Sequence, residues 1–239
     1  MNIDFTGQVV LVAGGTGGLG RSVSLAFLAN GANVAITWRH EEEFAALQAR
    51  AVGNGSRLAG FNVDVSDPRA AADLVDQILA RWNRLDVLVN CVGGYAGGIS
   101  LWQLEPEVFE RQLDLNLRAT YALAKAVAPA MIARKSGAIV NIASKAAWDH
   151  GAGAAAYAAS KAAAVALIDS LAADLTGTGV RANSVLPSII DTEANRRAMP
   201  NADFSKWPKP EDIANVVLFL ASDAARLIHG AAIPVFGNN

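Results

Sequence analysis

The chain has 239 residues, 52% of them hydrophobic, with a formal net charge of −2, so it can bury a core without staples. It lacks the concentrated basic patch that phosphate-backbone binding requires, which argues against a nucleic-acid partner. With Cys91 as the only cysteine, no disulfide can form within the chain, and a reducing cytosol is the natural compartment. Along the chain, short apolar runs alternate with longer amphipathic ones. Strands are predicted over 9–13, 33–38, 58–64, 87–90, 138–142, 181–186 and 231–235, and helices over 19–30, 41–52, 69–82, 108–134, 156–175 and 211–221. The strands are nearly continuously apolar, as in parallel sheets covered on both faces. The alternation predicts an α/β fold in one domain over 1–239: a doubly wound parallel β-sheet of about seven strands with helices on both faces.

Local chemistry marks several boundaries. Gly31 follows the first helix, where a left-handed residue is favoured, and Gly177 and Gly179 suit the end of a later one. Asp67-Pro68 opens a helix with a capping side chain and a first-turn proline. The segment 188–210, with three prolines and weak periodicity, breaks the pattern and is expected to form a substrate lid. The N-terminal run Met1–Phe5 lacks the regions of a signal peptide. No stretch reaches the ~20 uninterrupted apolar residues of a membrane span. The expectation is a cytoplasmic protein with no membrane partner, and no metal site is read.

The first strand runs straight into Gly14-Gly15-Thr16-Gly17-Gly18-Leu19-Gly20 and then a helix. Glycines at that junction permit a tight turn and close approach of backbone to a pyrophosphate. The helix start then offers its unpaired N–H groups and positive dipole end. A glycine cluster alone would be weak, and its position at the first strand–helix junction makes it informative. Gly14, Gly18 and Gly20 have the spacing G-x-x-x-G-x-G, which resembles the T-G-x-x-x-G-x-G of the short-chain dehydrogenase/reductase family. Candidate cofactor contacts are Gly14, Thr16, Gly17, Gly18, Leu19 and Gly20. Ala13 stands where that family usually has Thr, so one side-chain hydrogen bond within the turn is expected to be missing.

The second strand ends Thr37-Trp38-Arg39-His40, with no acidic residue before Glu41. A carboxylate there reads the ribose hydroxyls of NAD, whereas an arginine accommodates the 2′-phosphate of NADP. Arg39 therefore predicts NADP(H) preference with NAD(H) possible, and Trp38 or Arg39 could cover the adenine. The bland alternative is an arginine on a solvated helix start, balancing Glu41–Glu43. By the resemblance, Asp64 and Val65 would line the adenine, and Asn90 and Gly93 form the family's N-x-x-G. Cys91 is read as a small hydrophobe, not a reactive thiol.

Tyr157 and Lys161, four apart on a helical stretch, rise from one face. Tyrosine and lysine at that spacing are common, and the surroundings carry the signal. Ser144 ends the fifth strand, and Asn116 sits in the preceding long helix. Ser144, Tyr157, Lys161 and Asn116 together resemble the family's catalytic tetrad. A phenol with an ordinary pKa near ~10 is an available acid at neutral pH. A nearby ammonium and the positive nicotinamide ring would lower that value, fitting Tyr157 for acid–base work in both directions. Ser144 would stabilise the substrate's developing alkoxide. The resemblance further implies that Lys161 holds the nicotinamide ribose and Asn116 a proton-relaying water.

Asn183-Ser184-Val185-Leu186-Pro187-Ser188-Ile189-Ile190-Asp191-Thr192 resembles the family's N-x-V-x-P-G-x-x-x-T. It assigns Pro187, Ile190 and Thr192 to the nicotinamide end, with Ser188 in place of Gly. Tyr95, Trp148, His150 and Ile189, with Trp102 and Met199, fall in loops where the family places its substrate pocket, although ordinary packing explains each singly. His150 is also a candidate second acid, with Asp149 as its only local carboxylate. The expected reaction is reduction of a ketone or 3-oxoacyl carbonyl to an alcohol. The stretches 92–98 and 199–207 resemble quinonoid dihydropteridine reductases, which leaves pteridine or quinone reduction as an alternative. A non-catalytic NADP(H)-binding regulator is an alternative of a different class. A homotetramer or homodimer is expected, with Phe236 departing from the usual V-D-G-G ending.

Overall fold

Seven apolar segments pair into one sheet in the computed structural model, which describes residues 3–237. The strands are Val9–Ala13 (β1), Asn33–Trp38 (β2), Leu58–Asn62 (β3), Val87–Asn90 (β4), Gly137–Ile142 (β5), Val180–Pro187 (β6) and Ala232–Val235 (β7). All pairings are parallel, in the order β3-β2-β1-β4-β5-β6-β7. Four terminal residues of the expected 1–239 span, Met1, Asn2, Asn238 and Asn239, lie outside the described residues.

Alternation along each strand builds two cores. Val10 and Val12 of β1 join Val34 and Ile36 of β2 on one face. Val9, Leu11 and Ala13 face the other way with Ala35, as period-2 geometry dictates. The first face is covered by Gly18–Ala29 (α1) and Pro210–Ala221 (α8), with Leu47 of Glu41–Arg50 (α2). The second is covered by Pro68–Trp82 (α3), Ala119–Arg134 (α5) and Ala155–Asp174 (α6). Pro106–Leu113 (α4) packs beside α6, and Glu193–Ala198 (α7) lies in the excursion after β6. This is the doubly wound, Rossmann-type arrangement expected.

Two local features behave as their chemistry dictates. Gly31 is left-handed at φ +90° just past α1, and Asp67 caps α3 by accepting from the Arg69 N–H at 2.8 Å. Two boundaries differ from expectation. β3 stops at Asn62, so Asp64 lies past the strand end. The predicted 108–134 helix is interrupted by a π-helical turn over Asp114–Arg118. The excursion 188–210 contains α7 and a single 3-10 turn at Phe204–Lys206. One helix, α6, is long and apolar enough to cross a membrane by length and composition, but it buries Ala164, Ile168 and Ala172 within the domain.

Strand order reverses between β1 and β4, whose ends meet with Ala13 opposite Asn90. Ligands of open α/β sheets bind at the carboxyl ends of strands beside such a switch point. The glycine turn, Gly93, Ser144 and the residues after Pro187 all follow strand ends on that edge.

Candidate functional site

The turn after β1 is shaped by residues that only glycine can replace. Gly14 is left-handed at φ +71°, and a Cβ on Gly20 would lie 2.0 Å from the Gly14 carbonyl oxygen. The Gly14 N–H donates to Thr37 Oγ1 at 2.8 Å, and the Gly15 N–H to the Thr37 carbonyl at 3.1 Å. A threonine on β2 thus supplies a side-chain acceptor to the turn beside Ala13. Gly17 precedes α1 without a side-chain cap, and no acidic residue occupies the first turn. Those helix-start N–H groups fit an anionic pyrophosphate. The Leu19 side chain is in the core, so only its backbone faces the turn.

A groove of about 230 Å³ runs from this turn, lined by Thr16, Trp38, Arg39, Glu43, Val65 and Gly93, among others. Arg39 pairs with Asp64 at 3.8 Å, rather than with the glutamates that open α2. Asp64 also accepts from the Ser66 hydroxyl and N–H at 2.7 and 3.0 Å. These hydrogen bonds, with Arg39 adding less, hold its carboxyl below the usual range. Trp38 stacks on Phe44 with ring centroids 5.7 Å apart, and its indole N–H is buried without a hydrogen-bond partner. Thr16 donates to Glu43 at 2.8 Å.

Further along, Asn90 ties the strand ends together. Its amide donates to Thr120 Oγ1 and Asn141 Oδ1, both at 3.0 Å, and its oxygen accepts from the Val92 N–H at 3.1 Å. Gly93 leaves space that two site residues use: a Cβ there would lie 2.8 Å from Asn116 Oδ1 and 2.9 Å from Lys161 Nζ. Asn116, at the middle of the π-helical turn, accepts from the Gly94 N–H and donates to the Gly94 carbonyl, each at 3.1 Å. It also donates to Ser160 Oγ at 3.1 Å. Single π-helical turns of this kind are frequent at functional sites.

Lys161 is 5% exposed and donates to the Ile142 carbonyl at 2.9 Å. Burial lowers its pKa to about 8. The same burial pushes the neighbouring Cys91 thiol up to about 12, against the pull of Lys161, which agrees with an inert small hydrophobe. Tyr157 hydrogen-bonds Ser144 and meets the ring of Tyr95 edge-on, centroids 5.0 Å apart at 82°. Burial, the largest influence, raises the Tyr157 phenol; Ser144 lowers it, and Tyr95 raises it further. The lowering expected from a nearby ammonium and the oxidised nicotinamide ring belongs to the cofactor-bound site; the protein's own groups raise the phenol. Lys161 is not among the groups that shift the phenol; its ammonium donates to the Ile142 carbonyl instead.

Past β6, the Ser188 hydroxyl donates to the Phe236 carbonyl at 2.8 Å, tying the serine that replaces Gly to the C-terminal strand. The Ile190 carbonyl accepts from Asn195 Nδ2 at 2.7 Å. Thr192 caps α7, and its methyl group would lie 2.7 Å from a Cβ on Gly18, so Pro187–Thr192 closes against the glycine turn. Of the pocket candidates, Tyr95, Trp148 and Ile189 are 67%, 50% and 43% exposed. Only Tyr95 touches Tyr157; Trp148 packs edge-on against Phe236 at 6.4 Å. His150 and Trp102 are exposed. Sequence reasoning missed Ser160, which accepts from Asn116 and donates to the Tyr157 carbonyl at 2.8 Å, and Gln112, one turn before Asn116. Their i, i+4 and i+1 spacings to Asn116 and Lys161 were the available signal. A larger hollow, about 440 Å³ and lined by Gln8, Asp86 and Arg181 among others, lies at the opposite ends of the strands and contains none of these residues.

Residues 8–203 match the family model described as short chain dehydrogenase. A D-threitol dehydrogenase of Mycolicibacterium smegmatis is 34% identical over 250 residues, covering 99% of this chain and 96% of its own. The 3-oxoacyl-[acyl-carrier-protein] reductase FabG of Escherichia coli is 31% identical over 243 residues, 98% of each chain. Among solved structures, ElxO with NADP bound superposes with a TM-score of 0.91 at 27% identity, covering 96% of this chain and 97% of its own. NAD+-bound xylitol dehydrogenase gives 0.90 at 25% identity, covering 98% and 99%. The chain belongs to the short-chain dehydrogenase/reductase family, and is an NAD(P)-dependent oxidoreductase of carbonyl–alcohol chemistry.

Proposed function

We propose that the protein is an NADP(H)-dependent carbonyl reductase for ketone or 3-oxoacyl substrates, with Tyr157 as its general acid. The observation that carries this reading is the convergence of Ser144, Tyr95 and the Tyr157 hydroxyl at the carboxyl end of β5, with Lys161 and Asn116 meeting behind Gly93. The nicotinamide cofactor, when bound, supplies or accepts the hydride. Tyr157, kept protonated by burial, gives its proton to the carbonyl oxygen as charge develops there. Ser144 hydrogen-bonds that oxygen. Lys161 holds the nicotinamide ribose, and Asn116, fixed by Gly94 and Ser160, fixes the backbone beside it. Gly14, Thr16, Gly17, Gly18, Leu19 and Gly20 receive the pyrophosphate; Asp64, Val65, Asn90 and Gly93 line the adenosine side, and Pro187, Ile190 and Thr192 the nicotinamide side.

Support for NADP(H) over NAD(H) comes from Arg39, whose guanidinium lines the groove, against no carboxylate at the end of β2. The segment 188–210 serves as a lid over the substrate, and α5 and α6 as the faces of a homotetramer. Tyr95 beside Tyr157 suits flat or apolar carbonyls. The edge-on seat of Tyr95 on Tyr157 also keeps a second reading, reduction of quinonoid pterins or quinones. The test is NADPH consumption over ketones, 3-oxoacyl thioesters, quinones and quinonoid pterins. Turnover confined to the first two supports the proposal; turnover confined to pterins or quinones replaces it with the second reading.

A further inference from the structure

We propose that Glu43 is a cofactor-selectivity residue that restrains binding of the 2′-phosphate. This rests on the NADP(H) reading and deepens it. Glu43 is the third residue of α2, beyond the strand end where a ribose-reading carboxylate is ordinarily sought. The fold nevertheless brings it back to the glycine turn. Its carboxylate accepts from Thr16 Oγ1 at 2.8 Å and lines the same groove as Thr16, Trp38 and Arg39. Phe44 locks this approach. It stacks on Trp38 with rings 6° from parallel and fills the space left by Gly60, where a Cβ would lie 2.4 Å from its ring. The first turn of α2 is thereby pinned over the ends of β2 and β3.

The charges facing the groove then oppose one another. Arg39 is the cation suited to a phosphate, but Asp64 already draws on it at 3.8 Å. Glu43 adds a second, exposed negative group to the same groove. A phosphate monoester carrying close to two negative charges is repelled by Glu43, whereas a free ribose hydroxyl can donate to it. Arg39 and Glu43 thus set the NADP-to-NAD ratio as a pair: the arginine raises it, and the glutamate holds it down.

The test measures binding to the full-length protein by calorimetry, using adenosine 2′,5′-bisphosphate and adenosine 5′-monophosphate, together with NADP+ and NAD+. Glu43→Gln keeps an acceptor for Thr16 and removes the charge. It is expected to tighten the 2′-phosphorylated ligands roughly five- to tenfold, with AMP and NAD+ unchanged or weaker. The gain should shrink as salt rises from 0.05 to about 0.5 M, since the groups are exposed. Glu43→Ala controls for the lost hydrogen bond and should show the same direction. If neither variant tightens the 2′-phosphorylated ligands while Arg39→Ala weakens them, Glu43 has no such role and the NADP(H) reading stands. If Arg39→Ala leaves them unchanged, the NADP(H) reading itself fails.

Discussion

The two ends of the cofactor groove are built from opposite materials. At the catalytic end, Asn116 and Lys161 are 1% and 5% exposed, and each is held by backbone groups of a neighbouring segment. At the adenosine end, the Arg39 and Asp64 side chains are both 63% exposed and stand 3.8 Å apart. Burial makes each polar contact costly to lose and lets it shift a pKa. Exposure makes contacts cheap to alter and screened by salt. Under the proposed function, the chemistry falls where geometry is stiff, and the choice of cofactor where single charges can change it.

The sharpest way to break this comparison is Tyr157→Phe. The ring contact with Tyr95 and the packing of α6 survive, while the proton donor is lost. Turnover should fall by about 10²- to 10⁴-fold, with NADP+ binding by calorimetry unchanged. Activity near wild type would remove Tyr157 from the proposed role. Next in size is Asn116→Ala. It strands the Gly94 N–H and carbonyl and takes a donor from Ser160. A stability loss of about 1–3 kcal/mol is expected, which thermal unfolding reads as roughly 2–4 °C per kcal/mol at this length. The same variant should slow turnover through misplacement of Gly93 and Lys161. A loss of stability without any change in turnover would leave Asn116 purely structural.

The pH dependence sharpens the comparison further. Reduction needs a protonated Tyr157 and a charged Lys161, so its rate should fall as pH rises through about 8, where the buried lysine discharges. Oxidation of the alcohol needs the phenolate, so its rate should climb with pH instead. Ser144 is the one neighbour that lowers the Tyr157 pKa, so Ser144→Ala should move that rising limb to higher pH as well as reduce its plateau. A limb that stays in place would mean that another group is being titrated. Linkage also bears on folding. Between about 8 and the ordinary lysine value of 10.5, the unfolded chain binds a proton that the folded one does not. Stability should therefore rise with pH across that window as far as Lys161 decides it.

The same division explains what could be read without coordinates. β1, β2 and β4 fall where continuous apolar runs place them, and the glycine turn and the Tyr157–Lys161 pair are local patterns made legible by their surroundings, the first strand–helix junction and Ser144 and Asn116. The π-helical turn at Asp114–Arg118 was not legible, because one widened turn leaves the apolar pattern of a long helix nearly unchanged. Thr37 could not be matched to Gly14 beforehand; they are 23 residues apart, and the contact exists only once β1 and β2 pair. The weight of burial at the Tyr157 phenol was not legible for a related reason. Spacing along a helix shows that a lysine is near, but not that its ammonium is directed to the Ile142 carbonyl. Glu43 reaches Thr16 across 27 residues, and nothing in the acidic start of α2 distinguishes it from Glu41 or Glu42.

The smallest effect expected on the fold comes from the exposed end, and it separates stability from selectivity. Arg39→Ala deletes an ion pair between two largely solvated side chains, and such pairs contribute about 0–1 kcal/mol. The melting temperature should barely move. The ratio of kcat/KM for NADPH over NADH should nevertheless fall several-fold, because the guanidinium is the cation that lines the groove, and the fall should be smaller in high salt. Asn116→Ala should show the reverse signature, a lower melting temperature with an unchanged cofactor ratio. If Arg39→Ala instead lowered stability as much as Asn116→Ala, the adenosine end would be structural rather than selective, and the contrast between the two ends would not hold.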